Sequence, residues 1–416
     1  MNLTEELKWR GLLHQTTYPD VSVLDNKKVT FYWGVDPSAD SMTVGNLAAA
    51  MLAKRLMHNG HKAVLLVGGA TGLIGDPDGK QQERELISQD EIETNKHKIV
   101  DQYKQLFKGE NFELVDNYDW FKDIKFLEFL RDIGKHIPLR QMLNRDFVQT
   151  RTGEGAAGIS YAEFSYVLIQ AYDFYYLNEK HGVELQICGS DQWGNSIAGV
   201  DLTRRKNGNE THVLSIPLVT DKTTGRKFGK TEEGAIWLDA KKTSPTAFYQ
   251  FWINTDDASV SDFLKIYTEL NEVEITDIMT KHEADPGQRL AQKALASDVT
   301  KLVHGEQKAA LAEKVTSYLV GSSHVGEANE DEINTLKGEI PVVSKSSNGS
   351  IIEALSESGL ASSNSEARRL VEGNAISING QKVARDNFEP SDFSNGRAII
   401  KRGKAYKDSA LILVSK

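Results

Sequence analysis

A chain of 416 residues is too long for one ordinary hydrophobic core, and at roughly 150 residues per domain the expectation is about three. Hydrophobic residues at 39% and charged residues at 26% are globular proportions, which excludes a disordered or fibrous chain. The single cysteine, Cys188, excludes a disulfide scaffold and a cysteine-built zinc site, and a net charge of −10 argues against a nucleic-acid surface spread over the whole chain.

Near the start, Glu5, Glu6, Lys8 and Arg10 fall where a secretory leader needs an apolar run, so no leader and a cytoplasmic location are expected. Residues 28–34 predict a strand, with Val29, Phe31 and Trp33 on one face and Thr30 and Tyr32 on the other. Residues 47–58 predict a helix closed by Asn59-Gly60, and 63–67 a fully apolar strand before Gly68-Gly69. Strand, helix and strand at this spacing make one βαβ unit of a Rossmann-like, doubly wound parallel α/β sheet, with 185–188 as a later strand. No apolar stretch approaches the ~20 residues a membrane-spanning helix needs.

Residues 241–319 read as helical, with Leu290, Ala294, Ala296, Val299 and Leu302 at helical spacing. Residues 321–349, rich in Ser, Glu, Asn and Gly, predict a linker. Beyond it, Ser350 can cap a helix reaching Ser358, and Ser365 can open a second that Gly373 closes. Residues 375–378 and 381–383 flank Asn379-Gly380, a two-residue hairpin signal. From residue 350 onward ten basic residues meet eight acidic ones, so this end carries +2 and the remainder −12. The expected domains are therefore 1–222 (catalytic, Rossmann-like), 223–320 (a lysine loop and helices), 321–349 (linker) and 350–416 (small α+β).

Three segments carry chemistry. The first, Gly34-Val35-Asp36-Pro37-Ser38 continuing to Thr43-Val44-Gly45-Asn46, joins a strand to a helix, whose unpaired amides near Gly45 attract anions. Taken alone it is equally an ordinary βα loop. The second, Val67-Gly68-Gly69-Ala70-Thr71-Gly72 running to Asp76, is a glycine-rich turn after a buried strand, suggestive of nucleotide but without a P-loop ending. Lys80 and Arg84 follow in a polar stretch. The third, Gly225-Arg226-Lys227-Phe228-Gly229-Lys230-Thr231, is a flexible cationic loop suited to polyphosphate. Each is weak by itself.

Together these segments resemble the two ATP-binding signatures of class I aminoacyl-tRNA synthetases, with residues 227–231 in the place of Lys-Met-Ser-Lys-Ser. Glu163-Phe164-Ser165-Tyr166, Gln170-Ala171-Tyr172-Asp173, Gly189-Ser190-Asp191-Gln192-Trp193-Gly194-Asn195 and Phe248-Tyr249-Gln250-Phe251-Trp252 narrow the resemblance to the bacterial tyrosyl-tRNA synthetase family, over nearly the whole chain. The resemblance implies that Tyr32 and Asp173 hold a substrate phenol. It implies that Asp76, Tyr166 and Gln170 hold an ammonium, with Gln186 and Gln192 also contacting tyrosine. An ionised carboxylate only accepts, so Asp173 would demand a hydroxyl that phenylalanine lacks.

The same resemblance assigns ATP to Asp36, Ser38, Gly45, Asn46, Gly189, Asp191 and Lys230. It assigns catalysis at the pyrophosphate to Thr43, Lys80, Arg84, Lys227, Lys230 and Thr231. Arg145, Arg204 and Arg205 would meet the tRNA acceptor stem. The last segment resembles an S4-like RNA-binding domain, with Arg368, Arg369, Lys382, Lys401, Arg402 and Lys404 as phosphate contacts. Mg2+ would arrive with ATP, no metal or organic cofactor would be held by the protein, and the family implies a homodimer.

One departure stands out: the first signature is His-Ile/Leu-Gly-His in the family, and here it is Thr43-Val44-Gly45-Asn46. Removing one preorganised donor costs about 100- to 1,000-fold in rate. Thr43, helped by Ser38, is expected to keep a weaker phosphate contact through its hydroxyl. The departure also leaves room for a non-catalytic RNA-binding paralogue. A tryptophan-specific relative is disfavoured by the polar Tyr32/Asp173 pair.

Overall fold

The computed structural model describes every residue except 78–85, 144, 153–157, 221, 224, 226, 227, 232, 233, 322, 404 and 416, and the backbone alone for 141, 146, 147, 230 and 231. Two compact units result: Met1–Thr243 with Thr255–Leu295, and Ser244–Asn254 with Ala296–Lys416.

The first unit is built on a six-stranded sheet. Its strands are β1 (Gln15–Thr16), β2 (Thr30–Val35), β3 (Lys62–Val67), β4 (Phe112–Asp116), β5 (Val183–Gly189) and β6 (His212–Ile216), in the order β1-β6-β5-β2-β3-β4. All pairings are parallel except β1 with β6. The expected alternation in β2 holds. Trp33 meets Tyr103 and Phe107 edge-on at 5.4 and 6.3 Å, whereas Tyr32 meets Phe174 at 5.2 Å on the other face. Both faces are covered, as a parallel sheet requires. Strand order reverses at β2, with β3 and β4 to one side and β5 and β6 to the other, so a crevice opens at the carboxyl ends there.

Two helices aim side chains at that crevice. Val44–His58 begins beside it; Ala48, Ala49, Ala50 and Ala53 let its backbone lie close to the sheet. Tyr161–His181 is capped by Ser160, whose hydroxyl accepts from the Glu163 N–H, and ends at Gly182 in the left-handed conformation (φ 64°). It carries Tyr166, Gln170 and Asp173 on one face, four and three residues apart.

The second unit corrects the expected linker. Residues 321–349 contain a helix, Glu330–Glu339, and a strand, β9 (Val342–Lys345). Asn329 and Glu332 form a reciprocal capping box at 3.0 Å. Ile333, Leu336 and Ile340 are buried in one core with Val315, Tyr318 and Leu319. Beyond the hairpin strands β7 (Lys230–Thr231) and β8 (Gly234–Ala235) of the first unit, a second sheet contains β9, β10 (Ile376–Ile378), β11 (Gln381–Lys382), β12 (Arg397–Arg402) and β13 (Ser409–Val414), ordered β11-β10-β12-β13-β9. β9 pairs in parallel with β13 along Val342–Lys345, so this segment belongs to the sheet. The hairpin forms at Asn379-Gly380, both with positive φ (46° and 83°). The helix Ile351–Glu357 is capped by Ser350 as expected, but Asn364–Glu372 is capped by Ser363 rather than Ser365. Among the described residues no helix is long and apolar enough to cross a membrane.

Candidate active site

A cavity of about 440 Å³ lies at the carboxyl ends of β2, β3, β5 and β6, all within the first unit. It gathers fourteen of the residues expected from sequence: Tyr32, Asp36, Ser38, Thr43, Gly45, Asn46, Asp76, Tyr166, Gln170, Asp173, Gln186, Gly189, Asp191 and Gln192.

The deep end is buried and polar. Tyr32 and Asp173 are each 2% exposed. Trp120 Nε1 donates to one Asp173 oxygen at 2.9 Å and Asn117 Nδ2 to the other at 3.1 Å. Burial raises the Asp173 carboxyl well above the usual carboxylate range; those two donors oppose the shift, and the Asp36 and Asp116 charges add to it. Burial, followed by the Asp173 charge, also raises the Tyr32 phenol, which stays protonated. The Tyr32 hydroxyl, Gln170 Oε1 and Gln186 Oε1 are buried and have no hydrogen-bond partner among the described residues. Buried polar atoms are nearly always paired. These three oxygens line one cavity.

Asp36 anchors the middle. Thr71 Oγ1 donates to its Oδ1 at 2.6 Å and the Tyr166 hydroxyl to its Oδ2 at 2.7 Å. Asn117 Nδ2 also reaches Thr71 Oγ1 at 3.0 Å, linking this carboxylate to Asp173. Because the Tyr166 proton is committed to Asp36, Tyr166 offers the cavity lone pairs only. The sequence reading missed Asn117, Trp120 and Thr71. Thr71 lay inside the glycine-rich turn, whereas Asn117 and Trp120 follow β4 in a stretch without any motif.

At the mouth, Thr43 lines the cavity with its hydroxyl turned onto its own helix start. The Thr43 N–H and hydroxyl both donate to Asn46 Oδ1, at 2.9 and 3.1 Å. Two donors on one atom identify it as the oxygen, so Nδ2 is the end of Asn46 left for a ligand. The signature is joined to the next motif through backbone bonds from Val44 N to Ile236 O and from Ile236 N to Gly229 O. Lys230 and Thr231 form β7, paired with β8, and Phe228 and Gly229 line the cavity. Lys80, Arg84, Lys227 and Lys404 lie outside the described residues, as do the side chains of Lys230 and Thr231. Cys188 lines the cavity with its thiol pushed up to about 12 by burial, so it is a packing group and not a nucleophile. Among the described residues no cluster of His, Cys, Asp or Glu side chains is arranged to cage a metal.

The expected RNA contacts divide. Arg204 and Arg205 are exposed at the C-terminal end of the helix Trp193–Asn207, while Arg145 turns inward onto Asn195 and the Gly194 carbonyl. In the second unit, Arg368, Arg369 and Lys382 are exposed. Lys401 instead donates to the Leu319 carbonyl at 3.1 Å, half-buried, with its pKa lowered by burial, and Arg402 pairs with Asp408 at 3.3 Å.

The family model described as tRNA synthetases class I (W and Y) matches residues 24–320, and the one described as Tyrosine--tRNA ligase SYY-like C-terminal domain matches residues 332–407. A protein of Streptococcus suis (strain 98HAH33) named Tyrosine--tRNA ligase is 44% identical over 415 residues, covering 97% of this chain and 98% of its own. The protein of the same name from Chromobacterium violaceum is 45% identical over 416 residues, covering 97% of each. The chain belongs to the tyrosine–tRNA ligases. A C-terminally truncated Aspergillus nidulans mitochondrial tyrosyl-tRNA synthetase matches with a TM-score of 0.68 and 33% identity, over 76% of this chain and 94% of that one. A tryptophanyl-tRNA synthetase from Encephalitozoon cuniculi, at 12% identity and a TM-score of 0.53, shares the fold alone. As a class I tyrosine–tRNA ligase, the enzyme activates L-tyrosine with ATP to tyrosyl-adenylate and pyrophosphate. It then transfers tyrosine to the 3′-terminal ribose of tRNA.

Proposed function

We propose that tyrosine lies with its phenol between Tyr32 and Asp173 and its ammonium among Tyr166, Gln170 and Asp76. The observation that carries this reading is the set of buried oxygens on Tyr32, Gln170 and Gln186 in one cavity, unpaired among the described residues. The phenol donates to Asp173 and accepts from Tyr32. The ammonium's three N–H groups find the Tyr166 lone pairs, Gln170 Oε1 and the Asp76 carboxylate, while Gln186 and Gln192 bound the head group.

ATP occupies the outer part, with Gly189 and Asp191 at its ribose, Asp36 nearby, and Ser38, Gly45 and Asn46 toward the phosphates. A tyrosine carboxylate oxygen attacks the α-phosphorus, the bond to pyrophosphate breaks, and Mg2+ arrives with the nucleotide. The ribose hydroxyl of tRNA then attacks the carbonyl carbon and AMP leaves. The substrates supply both nucleophiles, so the protein contributes position and charge. Thr43, Lys80, Arg84, Lys227, Lys230 and Thr231 are assigned to steadying the departing pyrophosphate, Thr43 through Asn46. Asn46→Ala is expected to slow single-turnover adenylate formation about 100-fold. Thr43→Val, which only loosens Asn46, is expected to slow it several-fold; equal losses would place the hydroxyl on the phosphates after all.

Arg204 and Arg205, with Arg368, Arg369, Lys382 and Arg402, are the proposed tRNA contacts. The reading places the enzyme in the cytoplasm as a homodimer. Phe126, Leu127, Leu139 and Tyr161, each at least 60% exposed in one stretch of chain, support a covered face. Tyrosine-dependent ATP–pyrophosphate exchange by the purified protein tests the central reading. Exchange without tRNA is expected; its absence would favour a non-catalytic RNA-binding paralogue.

A further inference from the structure

Four side chains form one line from the surface to the proposed tyrosine site. The Arg145 guanidinium donates to Asn195 Oδ1 and to the Gly194 carbonyl. Asn195, 3% exposed, donates through Nδ2 to Gln192 Oε1 at 3.2 Å. Gln192 in turn donates through Nε2 to Asp76 Oδ2. Ser196 holds the base of the line, its hydroxyl donating to the Gln192 carbonyl at 2.9 Å.

The line has a fixed direction. Arginine only donates and a carboxylate only accepts. Between those ends each amide has one workable orientation: a flipped Asn195 would set its NH2 against the guanidinium and its oxygen against Gln192 Oε1. Arg145 packs close enough that a Cβ at Gly194 would meet its guanidinium at 3.2 Å.

We infer that Arg145 is a positioning residue for tyrosine activation. It sets the orientation of Asn195, which sets Gln192, which holds Asp76 where the amino-acid head group is received. The inference rests on the assignment of Asp76 and Gln192 to tyrosine made above. It gives Arg145 a task in the first reaction step, before any tRNA is bound.

The test is pyrophosphate exchange by the full chain without tRNA. Arg145→Ala is expected to raise KM for tyrosine about tenfold, with kcat and KM for ATP within about twofold. Arg145→Lys, which keeps a donor, should recover most of the loss. Asn195→Asp still accepts from Arg145 but has nothing to donate to Gln192. It should reproduce the rise, and the double variant should go no further. If Arg145→Ala fails to fold, the Asn195→Asp and Arg145→Lys pair carries the same comparison. An unmoved tyrosine KM in Arg145→Ala, with only the tRNA KM of aminoacylation raised, would make Arg145 a nucleic-acid contact and overturn the inference. Multiplying effects in the double variant would overturn it too. Absence of exchange in the wild-type chain would remove the underlying assignment instead.

Discussion

Asp173→Asn is expected to lower kcat/KM for tyrosine about 100-fold while KM for ATP stays within about threefold, as measured by pyrophosphate exchange. Both carboxylate oxygens already receive a buried donor, from Trp120 and Asn117. An asparagine offers one oxygen and one NH2, so one of those donors faces another donor and the phenol loses its acceptor. A hydrogen bond to a buried charge is worth about 1.5–3 kcal/mol, and a factor near 100 follows. The pH dependence has a definite sign. Burial holds the Asp173 carboxyl protonated to a higher pH than a free carboxylate. Between the unfolded and the raised folded pKa the native state binds the extra proton, so this group's contribution to stability falls as pH rises through that window. Tyrosine needs the ionised acceptor, so its kcat/KM should climb over the same window, and Asp173→Asn should flatten that limb. A wild-type profile already flat from acid pH would show that Trp120 and Asn117 outweigh burial.

Gly68→Ala is expected to cost about 1–3 kcal/mol of stability and to reduce tyrosine activation at least tenfold. The backbone there (φ −81°) would accept any residue. The obstacle is space: a Cβ would stand 2.1 Å from Asp36 Oδ1 and 2.2 Å from Thr71 Oγ1. Either the Asp36–Tyr166 bond breaks or Thr71 moves off Asn117, and both ends of the cavity feel it. Thr71→Ala in the same chain should restore part of the lost stability, as urea unfolding would reveal. Unchanged unfolding and exchange in Gly68→Ala would show that the loop yields freely.

This position also shows what the sequence could and could not convey. The glycine-rich turn suggests nucleotide by its spacing, yet Gly68 and Gly69 are glycine because the Asp36 and Asp116 carboxylates press on them. Tyr32, Asp173 and the strands around them were legible because apolar runs, helical spacing and family motifs agreed. Asn117 and Trp120 were not, since they reach Asp173 only through the pairing of β4 with β3, a long-range contact with no local signature. The supposed linker failed differently. Its Ser, Asn and Gly content outweighed a capping box and a regular Ile333, Leu336, Ile340 series that were there to be seen. Lys401 is expected at phosphate from its charge and the S4-like resemblance, and its chain neighbours give no hint that Leu319 claims it.

The second unit is not one continuous piece of chain. The helix Pro245–Ile253 belongs to it, yet first-unit sequence lies on both sides. Phe248, Tyr249 and Trp252 are at most 1% exposed, and Gln250 donates to Thr316 at 2.9 Å within that unit. During synthesis these aromatic side chains leave the ribosome well before the helix Glu306–Leu319 that shields them. No single proteolytic cut can release either half intact, and a nascent chain stalled near residue 290 would display a greasy segment that chaperones recognise.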